Sequence, residues 1–208
     1  MTSFTIERNN HLTQNIQGFY HTDFGGSKLP NNPNFLYKLK NDPHHNWSDY
    51  HIQEAQQQFL RILLIDFPEI VRQIGITPLT VCVVPRAKAE NTYRQNQLLF
   101  RATISNAVNQ LGNNFIDGSN FIVRHTNTKT THLRRPIDGY VNDGLEPYPG
   151  ISYDTCHFSA NINGRDILLI DDIYTRTVNI DEDMIQSLLN CEANSVTFYA
   201  IGNTIHNH

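Results

Sequence analysis

The sequence predicts an α/β fold with an open, mostly parallel sheet flanked by helices. Short apolar runs at residues 80–84 and 166–170 are typical of buried strands. Apolar side chains spaced three and four residues apart from Ser48 onward indicate a long helix before the first of these strands. The resulting order of strand, helix, strand, strand, helix, strand is the alternation of α/β proteins.

Composition limits the class of protein. With 208 residues, of which 39% are hydrophobic, the chain is long enough for one domain with a proper core. A net charge of −4 argues against general binding to nucleic acids or anionic membranes. Three scattered cysteines without a CxxC pair are typical of core residues in a reducing compartment. Residues 1–20 lack the apolar segment of a signal peptide, so the expected location is the cytoplasm.

Residues 1–47 are predicted to form an irregular N-terminal arm or hood, and residues 48–208 the main domain. The first segment is rich in asparagine and is interrupted by glycines and prolines, which favours loops. Its aromatic side chains are too many for a free tail. It therefore packs on the domain or on a partner, or covers a substrate.

The elements of the main domain follow in order. Ser48 suits the N-cap of the first helix, and Gly75 suits its end. Residues 80–84 form a strand, residues 92–111 a second helix, and residues 121–123 another short strand.

The second half contains a long polar loop and the clearest strand. Residues 126–150 have the length and composition of a lid, a binding loop or a disordered segment. A strand at residues 166–170 precedes a helix at 181–189, whose acidic first turn suits the helix dipole. A last strand covers residues 196–201.

The end of the strand at 166–170 carries the candidate site. It leads into Asp171 and Asp172 and then through residues 175–179 into a helix. Ligands of parallel sheets bind beyond the carboxyl ends of strands, and loop amides at a helix start attract anions. Two adjacent carboxylates suit a sugar phosphate, because its hydroxyls can donate to them. The alternative is a pair of loop carboxylates that cap the next helix.

The segment ILLIDDIYTRTVNIDE, from residue 167 to residue 182, resembles the PRPP-binding signature of the type I phosphoribosyltransferases. The resemblance implies that Asp171 and Asp172 are catalytic residues that hold the ribose hydroxyls. Asp172 would stabilise positive charge or accept a proton. The residues implied to wrap the 5-phosphate are Thr175, Arg176, Thr177, Val178 and Asn179. Tyr174, just before them, would stack on a base of the ligand or pack inside the domain.

Two further segments resemble the ComF-like and amidophosphoribosyltransferase-like group. VCVVPRAKAENTYRQNQ, from residue 81 to residue 97, is similar to a strand followed by a basic loop. The implied pyrophosphate loop consists of Pro85, Arg86, Ala87 and Lys88. FIVRHTNTKTTHL, from residue 121 to residue 133, is similar to the segment that enters the flexible catalytic loop. The resemblance covers about residues 80–201.

The chain departs from this family at several positions. Thr177 stands where the phosphate loop usually has glycine, which lets the backbone approach a phosphate closely. Thr131 replaces the usual glutamine, and no cysteines precede Cys82 to form a zinc ribbon. Asn179 is expected to donate a hydrogen bond, while Arg176 either adds charge to the phosphate or points away and leaves the site weaker.

Basic residues cluster in the two segments expected to face pyrophosphate: Lys88, Arg94, Arg124, Lys129, Arg134 and Arg135. Cations and Mg²⁺ stabilise the charge that develops on departing pyrophosphate. The expected Mg²⁺ is bound by the substrate, because this ion is held largely by phosphates and water. A solvated loop rim is the alternative, above all for Arg134 and Arg135.

Two functions follow from the resemblance. One is a PRPP- and Mg²⁺-dependent enzyme that transfers ribose 5-phosphate to an unidentified nitrogenous acceptor. The other is a non-catalytic protein that binds PRPP or a nucleotide and acts through a partner, for example in a bacterial defence or biosynthetic operon. The expected partner is a small molecule, with no membrane and no general nucleic-acid binding, and the family often forms homodimers.

Overall fold

The computed structural model describes residues 1–25, 29–41, 47–131 and 141–205. Its strands are β1 (Thr2–Ile6), β2 (Ile16–Phe24), β3 (Leu79–Val83), β4 (Phe115–Asp117), β5 (Ile122–Arg124), β6 (Cys156–Phe158), β7 (Asp166–Tyr174) and β8 (Ser195–Thr204). Its helices are α1 (Phe35–Lys40), α2 (Asp49–Ile74), α3 (Leu99–Leu111), α4 (Ile151–Thr155) and α5 (Ile180–Asn190).

Within the described residues, the main sheet has six strands in the order β1-β2-β8-β7-β3-β4. All neighbouring pairs are parallel except β1 and β2. Strands β5 and β6 form a separate antiparallel pair. The predicted α/β class with a mostly parallel sheet flanked by helices is confirmed.

The sheet separates two hydrophobic cores. On one face α1, α2 and α3 pack against the sheet, with Phe59 and Phe67 of α2 in the same cluster as Tyr199 of β8. On the other face α5 supplies Met184 and Leu188, which share a cluster with Phe198. Neighbouring residues of a strand therefore serve opposite cores, because side chains alternate between the faces of a sheet.

Helix α2 forms as the sequence predicts. The Ser48 hydroxyl accepts a hydrogen bond from the backbone N–H of His51, which satisfies one donor of the first turn. Gly75 ends the helix at φ 71°, and its N–H donates to the carbonyl of Val71 over 2.9 Å. The left-handed conformation at this position suits glycine. No helix in the described part of the chain is long and apolar enough to cross a membrane.

The N-terminal segment is more regular than predicted. Strand β2 lies inside the main sheet between β1 and β8, and α1 follows it. The expectation of an irregular arm is therefore wrong for the residues of β1, β2 and α1. Phe19 of β2 is fully buried, and its strand pairs with β8. This pairing joins residues almost a full chain length apart, so local composition did not reveal it.

Several element boundaries also differ from the sequence prediction. Residues 92–98 do not begin a helix; short 3₁₀ turns at Glu90–Thr92 and Gln95–Gln97 precede α3. The predicted strand near residue 122 exists as β5, but it pairs with β6 outside the main sheet. The position beside β3 in the main sheet belongs to β4, a strand that the sequence pattern does not predict. It has only three residues, too few for a periodic pattern.

Candidate functional site

Asp171 and Asp172 lie inside strand β7, which continues to Tyr174 rather than ending at Ile170. The strand is longer than predicted because its pairing with β8 extends from Asp166 to Tyr174. Asp171 is opposite Ala200 in this ladder. The two acids remain at the carboxyl end of a central strand, where ligands of parallel sheets bind.

The two carboxylates point to opposite faces of the sheet, since they are consecutive in a strand. Asp172 faces α1 and forms an ion pair with the ammonium of Lys40. Asp171 faces α5 and lies beside the carboxyl group of Asp181. The side chains of Lys40 and Asp172 are 24% and 17% exposed, so solvent reaches this pair.

Burial and charge change the protonation of this acid cluster. Burial and, to a smaller extent, the charge of Asp172 together raise the pKa of Asp171 to about 7, against the opposing effect of Lys40. Burial and the neighbouring Asp171 raise the pKa of Asp181 well above its usual range. Two carboxyls in such contact avoid double ionisation by sharing a proton. Burial lowers the pKa of Lys40, but Asp172 raises it by more, so the ammonium keeps its charge.

The turn between β7 and α5 offers backbone donors. The N–H of Val178 donates to the carbonyl of Thr175 over 3.0 Å. No described residue accepts a hydrogen bond from the N–H groups of Arg176, Thr177 or Asn179. The side chains of Arg176 and Thr177 are exposed rather than folded into the protein. These amides, with the start of α5, form a concentration of positive potential that suits an anion.

Asn179 fixes the shape of this turn. It adopts the left-handed conformation at φ 58° and ψ 17° and stands at the N-cap of α5 without a side-chain capping bond. Its Oδ1 accepts a hydrogen bond from Nδ2 of Asn9, in the β1–β2 connection, over 3.0 Å. Asparagine tolerates this backbone conformation better than most residues. The N-terminal hairpin therefore supports the candidate phosphate turn directly.

The acidic first turn of α5 points inward. The Glu182 carboxylate accepts a hydrogen bond from the hydroxyl of Tyr174 over 2.8 Å. Asp183 accepts from the backbone N–H groups of Gly150 and Ser152 at the start of α4. The Tyr174 ring packs against Phe198 and is only 4% exposed, so it has almost no surface for a ligand.

The predicted pyrophosphate loop is held by internal contacts. One Nη atom of Arg86 donates to the carbonyls of Lys40 and Gln97 over 2.8 and 2.9 Å. The Lys88 ammonium donates to the carbonyl of Thr128 over 3.1 Å and pairs with Asp143. The carbonyl of Ala87 accepts from the N–H and the hydroxyl of Thr128. Pro85 lies two residues after the end of β3, at the start of this loop.

The other predicted basic residues are dispersed. Lys129 pairs with the exposed Glu146, and Arg94 is exposed beside a 3₁₀ turn. Arg124 is buried and donates to the carbonyl of Arg86. Arg134 and Arg135 lie outside the described residues. The described members of the basic group therefore do not converge on the turn after β7.

No protein-family model and no curated protein matches this sequence. Among solved structures, the chain is similar to a hypoxanthine phosphoribosyltransferase (HPRT) in which an invariant aspartic acid is replaced by glutamic acid. The identity is 11% and the TM-score 0.40, with 74% of this chain and 79% of that chain covered. A likeness this weak does not identify the family.

Three residues of the site were not predicted from the sequence. Lys40 lies in a segment that was expected to be irregular, and no motif marks it. Asp181 suits the helix dipole by its position in the sequence, but its carboxyl lies beside that of Asp171. Asn9 is one of many asparagines in the N-terminal segment. Only the contact each residue makes across the fold distinguishes it.

Proposed function

We propose that this protein binds a ribose 5-phosphate group at the turn after β7 and, as a phosphoribosyltransferase-type enzyme, transfers it from PRPP to a nitrogenous acceptor. The observation that carries the proposal is the set of N–H groups at Arg176, Thr177 and Asn179. They lie a few residues beyond Asp172, at the carboxyl edge of the sheet. Amides that donate to a phosphate, together with carboxylates that accept hydrogen bonds from hydroxyl groups, match a sugar phosphate.

Each part of the turn has a separate role in this proposal. The amides of the turn and the Arg176 guanidinium hold the 5-phosphate. Asp172 accepts hydrogen bonds from the ribose hydroxyls and stabilises positive charge at C1. Asp171 is turned toward α5 and shares its proton with Asp181, so we assign it a supporting role. It keeps the end of β7 in position without adding a second full negative charge.

Mg²⁺ fits this site only together with the substrate. It prefers several oxygen ligands and retains water. Asp172 offers carboxylate oxygens at this edge, but Lys40 already contacts them. The ion would therefore be held mainly by the pyrophosphate of PRPP, with Asp172 nearby. When bound, it would offset the charge on the departing pyrophosphate.

A second candidate function is non-catalytic binding of PRPP or a nucleotide, with an effect exerted through a partner. The contacts of Arg86 and Lys88 favour it, because these cations bind backbone carbonyls and Asp143. In this alternative the phosphate turn and Asp172 still bind the ligand, while the loop near β3 has a structural role. Fold alone does not separate an enzyme from such a sensor.

One experiment separates the two functions. PRPP binding is measured by calorimetry with Mg²⁺, and pyrophosphate release is followed with a panel of nucleobases and amines. Asp172→Asn is compared with Asp23→Asn, which changes an exposed carboxylate on β2 near the same edge of the sheet. The enzyme predicts turnover that Asp172→Asn abolishes and Asp23→Asn retains. The sensor predicts binding with the same dependence on Asp172 but no turnover. Absence of PRPP and nucleotide binding would reject both.

The phosphate turn has its own test. Thr177→Gly removes a branched side chain at the position where the resembling family has glycine. If Thr177 hinders the approach of the phosphate, the glycine variant should bind PRPP several-fold more tightly. If Arg176 and Asn179 have adapted the turn to threonine, binding should stay constant or weaken. Loss of binding in Arg176→Gln at constant stability would support contact between this side chain and the phosphate.

A further inference from the structure

A cavity lies beyond the carboxyl end of β3, the strand next to β7 in the main sheet. Strand β4 pairs with β3 only along Leu79–Val81, so it does not cover the end of β3. The loop after β3 and the start of α3 enclose this uncovered end and leave an empty volume of about 370 Å³, part of it open to solvent. None of residues 171–179 is among the described residues that line it.

Arg124 places a buried charge in the wall of this cavity. Its residue is only 4% exposed. Its Nε donates to the carbonyl of Arg86 over 2.8 Å, and its Nη1 donates to the hydroxyl of Thr155. Its Nη2 has no hydrogen-bond partner among the described residues. A buried cation without a direct carboxylate contact is costly, which makes an anionic ligand favourable here.

The other charged residues around the cavity have partners of their own. Arg101 pairs with Glu90, and both side chains line the cavity. Lys88 pairs with Asp143, while Arg86 lies 4.4 Å from the centre of the Tyr93 ring. Arg124, in contrast, makes no direct contact with a carboxylate of the described residues. Asp183 of α5 adds negative charge near Arg124, but two backbone N–H groups already bind it.

The remaining walls are apolar. Val84, Leu98 and Phe100 line the cavity together with the Tyr93 ring. A pocket with one converging polar group and apolar walls is typical of sites for small organic molecules. A phosphate dianion is disfavoured for two reasons. Few hydrogen-bond donors converge on the cavity, and the carboxylate of Glu90 would repel the second negative charge. A monoanion with a flat apolar body satisfies both the charge of Arg124 and the apolar walls.

We propose that this cavity binds a small aromatic or similarly flat apolar carboxylate, with its carboxylate on Arg124 and its ring between Val84, Leu98 and Phe100. Such a ligand would bridge the end of β3, the loop at residues 85–97, α3 and β5. The site shares Pro85, Arg86 and Lys88 with the predicted pyrophosphate loop but no residue with the phosphate turn, and it does not require that the protein bind PRPP.

The test uses benzoate as the probe and benzamide as its neutral isostere, with binding followed by calorimetry on the full chain. We expect saturable benzoate binding and at least about tenfold weaker benzamide binding, equal to about 1.4 kcal/mol. Asp172→Asn should leave benzoate binding unchanged, which separates this site from the ribose phosphate site. Equal affinity for the two probes, or no saturable benzoate binding, would overturn the proposal.

Three variants test the geometry. Arg124→Leu should abolish benzoate binding, but this buried change can also impair folding. Glu90→Gln removes a partly exposed carboxylate from the wall and should tighten benzoate binding several-fold. Leu98→Trp fills the cavity without changing its charge and should remove binding. Unchanged affinity in both Glu90→Gln and Leu98→Trp would contradict this location.

Discussion

The ammonium of Lys40 on α1 forms an ion pair with the carboxylate of Asp172 on β7. This contact links the N-terminal segment to the acidic end of a central strand. It also places a cation beside the carboxylate that we propose binds ribose. The stability of the site and the position of α1 are therefore coupled through two side chains.

Lys40→Met should lower the free energy of unfolding at pH 7 by about 2 kcal/mol, between the values typical of exposed and buried pairs. The cause is the loss of a cation that contacts Asp172 and that interacts electrostatically with Asp171. Lys38→Met is the matched control on the same helix, because Lys38 pairs with Glu54, whose side chain is 53% exposed. The control should change stability by less than about 1 kcal/mol. If urea denaturation gave the same loss of stability for both variants, the Lys40–Asp172 pair would contribute no more than an exposed ion pair.

Asp171→Asn should remove a pH dependence of stability. The pKa of Asp171 rises from its usual 3.8 to about 7 in the folded chain, so between these values the folded chain binds more protons than the unfolded chain. The stabilisation that comes from the proton bound at Asp171 is complete below about pH 4 and is lost as the pH rises through 7. Relative to the variant, the wild type should lose on the order of 2 kcal/mol between pH 5 and pH 8.

Urea denaturation of both proteins at these two pH values provides the measurement. Asp181→Asn should also reduce the pH dependence of the free energy of unfolding, since it removes the other member of the carboxyl pair. A wild type that gains stability relative to Asp171→Asn on going from pH 5 to pH 8 would refute the shared proton.

Asn179→Gly and Asn179→Ala should differ in stability although both lose the hydrogen bond from Asn9. Position 179 has a positive φ of 58°. Alanine should therefore be less stable than glycine by about 1 kcal/mol, since the left-handed conformation crowds its Cβ. The comparison of the two variants isolates the backbone contribution. Alanine equal to or more stable than glycine in chemical denaturation would mean that the turn relaxes to another conformation.

Tyr199→Phe should cost about 1.5–3 kcal/mol, the range for a hydrogen bond to a charged partner. The Tyr199 hydroxyl is buried and donates to Asp66 over 2.6 Å, and His21 contacts the same carboxylate oxygen over 2.9 Å. Tyr20→Phe is the control, because the Tyr20 hydroxyl has no hydrogen bond to the described residues. Thermal unfolding of the two variants gives the comparison. Equal melting temperatures would show that the buried Tyr199 bond contributes little.

Local sequence patterns predicted those elements whose signals are complete within one segment. Helix α2 has an N-cap at Ser48, an apolar stripe and a terminal Gly75, and each signal acts within a few residues. Helix α5 and the central strands β3, β7 and β8 were predicted for similar reasons, with ends displaced by a few residues. The pairing of β2 with β8 has no local signal, so the N-terminal strands were missed.

The sequence by itself determined that this chain forms an α/β sheet and that an acidic strand end is followed by a turn and a helix. Only the tertiary structure decided which way the acids point. The extension of β7 along β8 places Asp171 and Asp172 on opposite faces, where one meets Asp181 and the other Lys40. Spacing along a chain fixes local conformation, whereas a side chain's partner depends on which distant segments pack against it.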